Sequence, residues 1–270
     1  LYYLKNFLIL IRINKPTGIM LLTFPAIWSI LIVLKEETSI YLLLLFIYGS
    51  FIMRSAGCII NDIIDKKFDK NIRRTKSRPL ASEQLETSDA IVLLIIFLSI
   101  GLSILLSLNP TCIVLGLIAF LLILIYPLMK RFTYFPQFFL AITFNFSVLI
   151  SWTAAKGEFD NQSLLLYFAC IFWTLGYDTI YAYQDKNEDK KVGVKSLAIY
   201  LEKNIKFWIM LFYLIFILFF SFLAILNSIN LIFFIIITLF TLKIFYEIFK
   251  SKKLLSKDCM KIFQMNSWYG

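Results

Sequence analysis

Long apolar stretches alternate with short polar ones along almost the whole chain. Eight of them, at roughly 17–34, 40–60, 89–108, 111–129, 134–155, 163–184, 205–226 and 229–249, are long and apolar enough to cross a bilayer as helices. Ahead of them, residues 1–13 alternate apolar positions with Lys5, Asn6 and Arg12, which predicts an amphipathic helix on the membrane surface. After Lys253 the chain turns polar, then apolar and aromatic again at Phe263, Met265, Trp268 and Tyr269. That ending reads as the opening of a ninth span whose remainder is missing, and the absence of an initiator Met suits a fragment or processed form. The expected fold is an all-α, polytopic transmembrane bundle, one membrane-embedded domain over residues 1–270.

Composition agrees with the pattern. The chain is 60% hydrophobic and 17% aromatic, with a mean hydropathy of +0.81, whereas soluble domains are about 45–50% apolar. Its net charge of +10 raises the question of nucleic acid, but the basic residues sit in short loops and no nucleic-acid-binding pattern accompanies them. Of the 27 Lys and Arg, all but Lys35, Lys156 and Arg54 fall in the N-terminal arm, in even-numbered loops, or around and after the eighth span. The positive-inside rule then places the N-terminus and the even-numbered loops on the cytoplasmic side. The chain has no histidine, which excludes His-based zinc sites and Ser-His triads. Cys58, Cys112, Cys170 and Cys259 are far apart and form no CxxC pair, so a zinc or disulfide framework is not expected.

The concentrated polarity is at Asn61-Asp62-Ile63-Ile64-Asp65-Lys66-Lys67-Phe68-Asp69. On a helix, either Asn61, Asp65 and Asp69 or Asp62, Asp65 and Asp69 share one side. Carboxylates so close repel one another unless a cation lies between them. A second acidic group, Asp185 and Asp189 after another even-numbered span with Asp178 near that span's end, comes about four spans later, and its members share a helical face if that span continues into the loop. Two such clusters on one membrane face could hold Mg²⁺ between carboxylates and phosphate oxygens, with Lys and Arg nearby for diphosphate. The plain alternative is solvated loop charge. Matched topological positions of two clusters favour the metal site. Arg54 and Asp178 lie within spans, where charge is costly and faces a cavity or a partner; an Arg54–carboxylate pair is the structural alternative. Lys130 and Arg131 at a cytoplasmic helix end serve either as topology anchors or as diphosphate contacts.

In order, Arg54-Ser-Ala-Gly57-Cys, Asn61-Asp62-x-x-Asp65-x-x-x-Asp69 and Arg74-Thr-x-x-Arg78-Pro-Leu resemble the first signature of the UbiA family of intramembrane aromatic prenyltransferases. Tyr177-Asp178-Thr-x-Tyr181-Ala, Asp185-x-x-x-Asp189 and Gly193-Val-Lys195-Ser resemble the second, and Lys15-Pro-x-Gly18 and Tyr126-Pro-x-x-Lys130-Arg131 also fit. Within the family the likeness is greatest to the 4-hydroxybenzoate polyprenyltransferases. The resemblance implies nine helices and Mg²⁺-dependent transfer of a polyprenyl group from polyprenyl diphosphate to the carbon ortho to the hydroxyl of 4-hydroxybenzoate, in ubiquinone biosynthesis. It further implies a bacterial inner or mitochondrial inner membrane, with the lipid bilayer and no nucleic acid as partner. It assigns Asn61, Asp65 and Asp69 to one ion and Asp185 and Asp189 to the other, with Asp62 as ligand or support. Arg54, Arg74, Lys130, Arg131, Tyr177, Tyr181 and Lys195 are expected to bind substrate; Asp65 and Asp185 are expected to be catalytic, and Asp178 to orient or deprotonate the phenol. A family member acting on naphthoate, homogentisate or haem is the nearest alternative. A transporter is another, but it would distribute charge through the bilayer depth.

Overall fold

A computed structural model describes residues 2–35 and 39–269. Residue 1 of the expected amphipathic segment and Gly270 lie outside the described residues. The helices are α1 (Tyr2–Leu10), α2 (Thr17–Leu34), α3 (Ile40–Asp69), α4 (Thr87–Leu106), α5 (Pro110–Phe132) and α6 (Pro136–Lys156). There follow α7 (Asn161–Tyr183), α8 (Lys186–Val192), α9 (Leu197–Tyr200), α10 (Ile205–Leu226), α11 (Leu231–Lys250) and α12 (Ser256–Met265). Among the described residues eight of these, α2 to α7 with α10 and α11, are long and apolar enough to span a membrane. The protein is a multi-pass helical membrane protein, as the hydropathy pattern predicts.

Local chemistry sets the helix ends. Asn109 accepts a hydrogen bond from the Cys112 N–H while Pro110 opens α5, and Asp160 caps α7 by accepting from Ser163 N–H. Gly157, at φ 98°, closes α6 in the left-handed conformation. The largest departure from the predicted boundaries is α3. It runs on through the aspartate motif to Asp69, 30 residues in all, or about 45 Å against a hydrocarbon thickness of about 30 Å. Its polar end therefore stands out of the bilayer at the level of the long loops.

Helix α7 is the centre of the bundle, packed against α6, α10 and α12, with Trp173 and Tyr177 buried. Gly176 lets α10 approach: a Cβ there would lie 2.9 Å from the Tyr213 ring. Asn266, in the 3-10 turn Asn266–Trp268, is fully buried and accepts hydrogen bonds from Trp173 Nε1 (2.9 Å) and Tyr213 OH (2.8 Å), which pins α12 to this core. Helix α4 is peripheral and turns Ile91, Val92, Ile95 and Ile96 outward. The N-terminal helix is only partly the surface element expected. Leu10 and Ile11 are buried against Ile52, Ala56, Ile59 and Leu80, while Tyr3, Leu4 and Leu8 are exposed.

Candidate active site

The two long polar connections, α3–α4 and α7–α10, meet at one end of the bundle. Arg73 N–H donates to Glu188 (2.7 Å), and Arg74 donates to Asp185 (2.7 Å from Nε) and to the Tyr181 hydroxyl (2.7 Å). Between them lies a cavity of about 220 Å³. Asn61, Asp65, Asp69, Asp178, Tyr181, Asp185 and Asp189 line it together with Arg74, Arg78, Lys130 and Lys195. Both acidic clusters thus face one space.

The second cluster forms differently from the expected single helical face. Helix α7 stops at Tyr183, a turn follows, and Asp185 precedes the separate short helix α8 that carries Asp189. The break turns Asp185 and Asp189 back toward α3 instead of extending them along the α7 axis. The loop after α8 is latched over the end of α5: Lys195 N–H donates to the Lys130 carbonyl (2.9 Å), and Leu197 N–H donates to buried Gln137 (2.8 Å).

Each carboxylate has a distinct environment. Asp65 pairs with Lys130 through one oxygen, and its other oxygen, Oδ1, is buried with no hydrogen-bond partner. Asp69 takes Arg78 (2.7 Å) and Asp185 takes Arg74 (2.6 Å). Burial, reinforced by the neighbouring Asp185 carboxylate, pushes the Asp189 pKa up to about 7. Burial lowers the Arg78 pKa, but Asp62 and Asp69 outweigh it and hold the guanidinium above its ordinary value. Among the described residues no three carboxylates converge into a ready-made metal cage. The donor set, with its orphaned Asp65 oxygen, does fit an ion such as Mg²⁺, which takes one or two carboxylates and completes its shell with water and phosphate oxygens.

Several expected site residues lie elsewhere. Asp62 does not line the cavity: Arg12 Nη2 donates to both of its oxygens (2.7 Å each) and Arg78 to one (2.9 Å), leaving a buried ion-pair anchor in place of a metal ligand. On α3, Asp62 is turned toward the N-terminal arm while Asn61, Asp65 and Asp69 face the cavity. Tyr177 is buried against Trp173 and Phe263, off the cavity, because α7 turns that face toward α12. Arg131 also lies off it: its guanidinium covers the Phe68 ring and donates to the Ile64 carbonyl (3.0 Å), tying α5 to α3. Lys195 does line the cavity, but its ammonium is turned to the Phe132 carbonyl (3.2 Å). Arg12, Arg78 and Gln137 were not singled out from the sequence as site residues. For Arg78 the signal was its place in Arg74-Thr-x-x-Arg78-Pro.

Arg54 lines a second, apolar cavity of about 160 Å³, deeper in the bundle, with Met53, Gly57, Phe120, Ile123 and Phe144. Among the described residues it forms no carboxylate ion pair; its guanidinium lies 5.2 Å from the Phe144 ring centre and its Nε is buried without a partner. The backbone of α2 comes close beside it at Gly18, where a Cβ would stand 3.0 Å from Nη2. Tyr126 lines both cavities, so the polar chamber and the apolar chamber adjoin.

Residues 22–269 match the UbiA prenyltransferase family. The chain is 41% identical over 270 residues to the mitochondrial 4-hydroxybenzoate polyprenyltransferase of Caenorhabditis elegans, covering 99% of this chain and 76% of that protein. Against the mitochondrial 4-hydroxybenzoate polyprenyltransferase of Bos taurus it is 44% identical over 209 residues, 76% of this chain and 56% of that protein. The chain therefore spans about three quarters of the one relative and about half of the other. A UbiA homologue from Archaeoglobus fulgidus, solved bound to GPP and Mg²⁺, superposes with a TM-score of 0.72 over 98% of this chain and 97% of that one. At 16% identity that likeness is one of fold.

Proposed function

The chain belongs to the UbiA prenyltransferase family, and from that premise we propose that it transfers a polyprenyl group from polyprenyl diphosphate to 4-hydroxybenzoate. The new bond forms at the ring carbon ortho to the hydroxyl, diphosphate is released, and the product feeds ubiquinone synthesis. The observation that carries this reading is the pair of adjoining chambers. One is lined by aspartates and basic side chains at the polar end of the bundle; the other is apolar and lined by the helices long and apolar enough to span a membrane.

In this reading Asn61, Asp65 and Asp69 hold Mg²⁺ on one side of the polar chamber, and Asp185 and Asp189 on the other. Mg²⁺, when bound, withdraws charge from the departing diphosphate as a Lewis acid. Lys130 and Arg74, already beside those carboxylates, contact the diphosphate oxygens and stabilise the charge that develops as the allylic C–O bond breaks. The electron pair leaves with the diphosphate, and the ring carbon forms the new C–C bond. Phe144 and Tyr126 line the apolar chamber; in this reading they border the reacting carbon, where ring faces stabilise positive charge and keep water away. The unpaired Arg54 guanidinium faces the acceptor's carboxylate. Asp178 is in reach of the phenol to orient it, and the displaced ring proton passes to Asp178 or to the released diphosphate. The bilayer takes the rest of the polyprenyl tail. The membrane is the inner mitochondrial or the bacterial inner membrane, with the polar chamber on the matrix or cytoplasmic side.

Membranes containing the chain, supplied with polyprenyl diphosphate and Mg²⁺, test the acceptor. Prenylation of 4-hydroxybenzoate well above that of a dihydroxynaphthoate or homogentisate is expected. Preference for either of the others reassigns the substrate within the family.

A further inference from the structure

We propose that Gly57 sets the width of the passage between the two chambers, reserving the space through which the first isoprene unit of the donor runs from the diphosphate site into the apolar chamber. The inference rests on the prenyl-transfer reading above and adds to it a residue that controls how the donor is seated.

One face of α3 makes up a wall of both chambers. Phe46, Gly49, Ser50, Met53, Arg54 and Gly57 line the apolar one, and Asn61, Asp65 and Asp69 line the polar one. These positions follow the three-and-four spacing of one helical face. At 1.5 Å per residue, Gly57 stands about 6 Å from the level of Asn61 and about 12 Å from those of Gly49 and Asp65. Helix α5 changes character at the same level, from Ile123 in the apolar chamber through Tyr126 in both to Lys130 in the polar one. Helix α6 does so between Leu140 in the polar chamber and Phe144 in the apolar one. Gly57, Tyr126 and the Arg54–Phe144 pair therefore surround the junction. A prenyl diphosphate whose phosphates lie among the aspartates has its first carbons at this level.

The reason for glycine here differs from that at Gly101, Gly116 and Gly176. A Cβ at Gly101 would lie 2.7 Å from Met53 Sδ, at Gly116 2.5 Å from Leu105, and at Gly176 2.9 Å from Tyr213, so those glycines serve close packing. A Cβ at Gly57 would meet nothing within 4 Å. The residue is buried, so the open space is the chamber. Its φ is not positive, so the backbone does not require glycine either, and inside a helix glycine is less favourable than alanine. Neither packing nor backbone geometry accounts for it; room for a ligand does.

The test compares the wild-type chain with Gly57→Ala and Gly57→Leu, purified in detergent with Mg²⁺. Three quantities are read: the unfolding temperature, binding of inorganic diphosphate, and binding of geranylgeranyl diphosphate. Both variants should unfold at or above the wild-type temperature and bind inorganic diphosphate as the wild type does. Geranylgeranyl diphosphate binding should weaken by about 100-fold in Gly57→Leu, with Gly57→Ala between, as expected of a steric block at a reacting centre. Wild-type binding of the prenyl donor by a folded Gly57→Leu overturns the proposal and leaves the prenyl-transfer reading standing. Parallel loss of inorganic diphosphate binding also overturns it, since the effect then lies at the polar chamber. A wild type that does not bind geranylgeranyl diphosphate removes the prenyl-transfer reading and this inference with it.

Discussion

Arg78 joins the carboxylates of the polar chamber to the scaffold. Its guanidinium donates to Asp69, which faces the polar chamber, and to Asp62, which faces away and is held from the far side by Arg12. Arg12 itself sits at φ 63°, a left-handed backbone rare outside glycine, and also donates to the Ile9 carbonyl (3.0 Å). Removing one member of a buried ion pair leaves the other's charge uncompensated, at a cost of about 3–5 kcal/mol. Arg78→Ala is accordingly expected to lower stability on that scale and to weaken Mg²⁺-dependent turnover, both measurable on the purified chain by thermal unfolding and by assay. Unchanged stability would mean that Asp62 and Asp69 have enough support without it. This division of labour was hidden in the sequence. Asp62, Asp65 and Asp69 can share one side by helical spacing, and it is the folded pairing of Asp62 with Arg12, fifty residues away, that shows it facing the arm.

At the scale of the element, α7 shows how close approach and function share one helix. Gly176 admits the Tyr213 ring of α10 on one face, while Asp178 and Tyr181 look into the polar chamber on another. Gly176→Ala forces the ring or the helices apart, and overpacking of this kind costs about 1–3 kcal/mol. The expected result is a lower unfolding temperature; an unchanged one would show that the Tyr213 ring yields freely. Hydropathy placed all eight spans because lipid and protein interior are both apolar and a span must be about 20 residues long. For the same reason it could not tell which face of a span points inward, since a helix apolar all round carries no phase signal. That is why Tyr177, one residue from Asp178, was expected at the site and instead lies in the core against Phe263. The break between α7 and α8 was equally invisible: Gln184 and Asp185 include no Gly or Pro to mark a stop.

At the scale of the molecule, the basic bias of the even-numbered loops and the matched positions of the two acidic clusters were legible because both depend only on chain order. Their meeting across one cavity, through Arg74 on Asp185 and Lys130 on Asp65, depends on the bundle as folded. The central claim is that the clusters act as one site. The direct measurement is the rate of Mg²⁺-dependent 4-hydroxybenzoate prenylation by wild type, Asp65→Ala, Asp185→Ala and the double variant. Groups that work as a unit give strongly non-additive losses. Each single variant should therefore fall by about 100-fold or more, the scale of one lost element of charge stabilisation, and the double variant should be little worse than either. Wild-type turnover in either single variant, or losses that simply multiply in the double, would contradict a shared site.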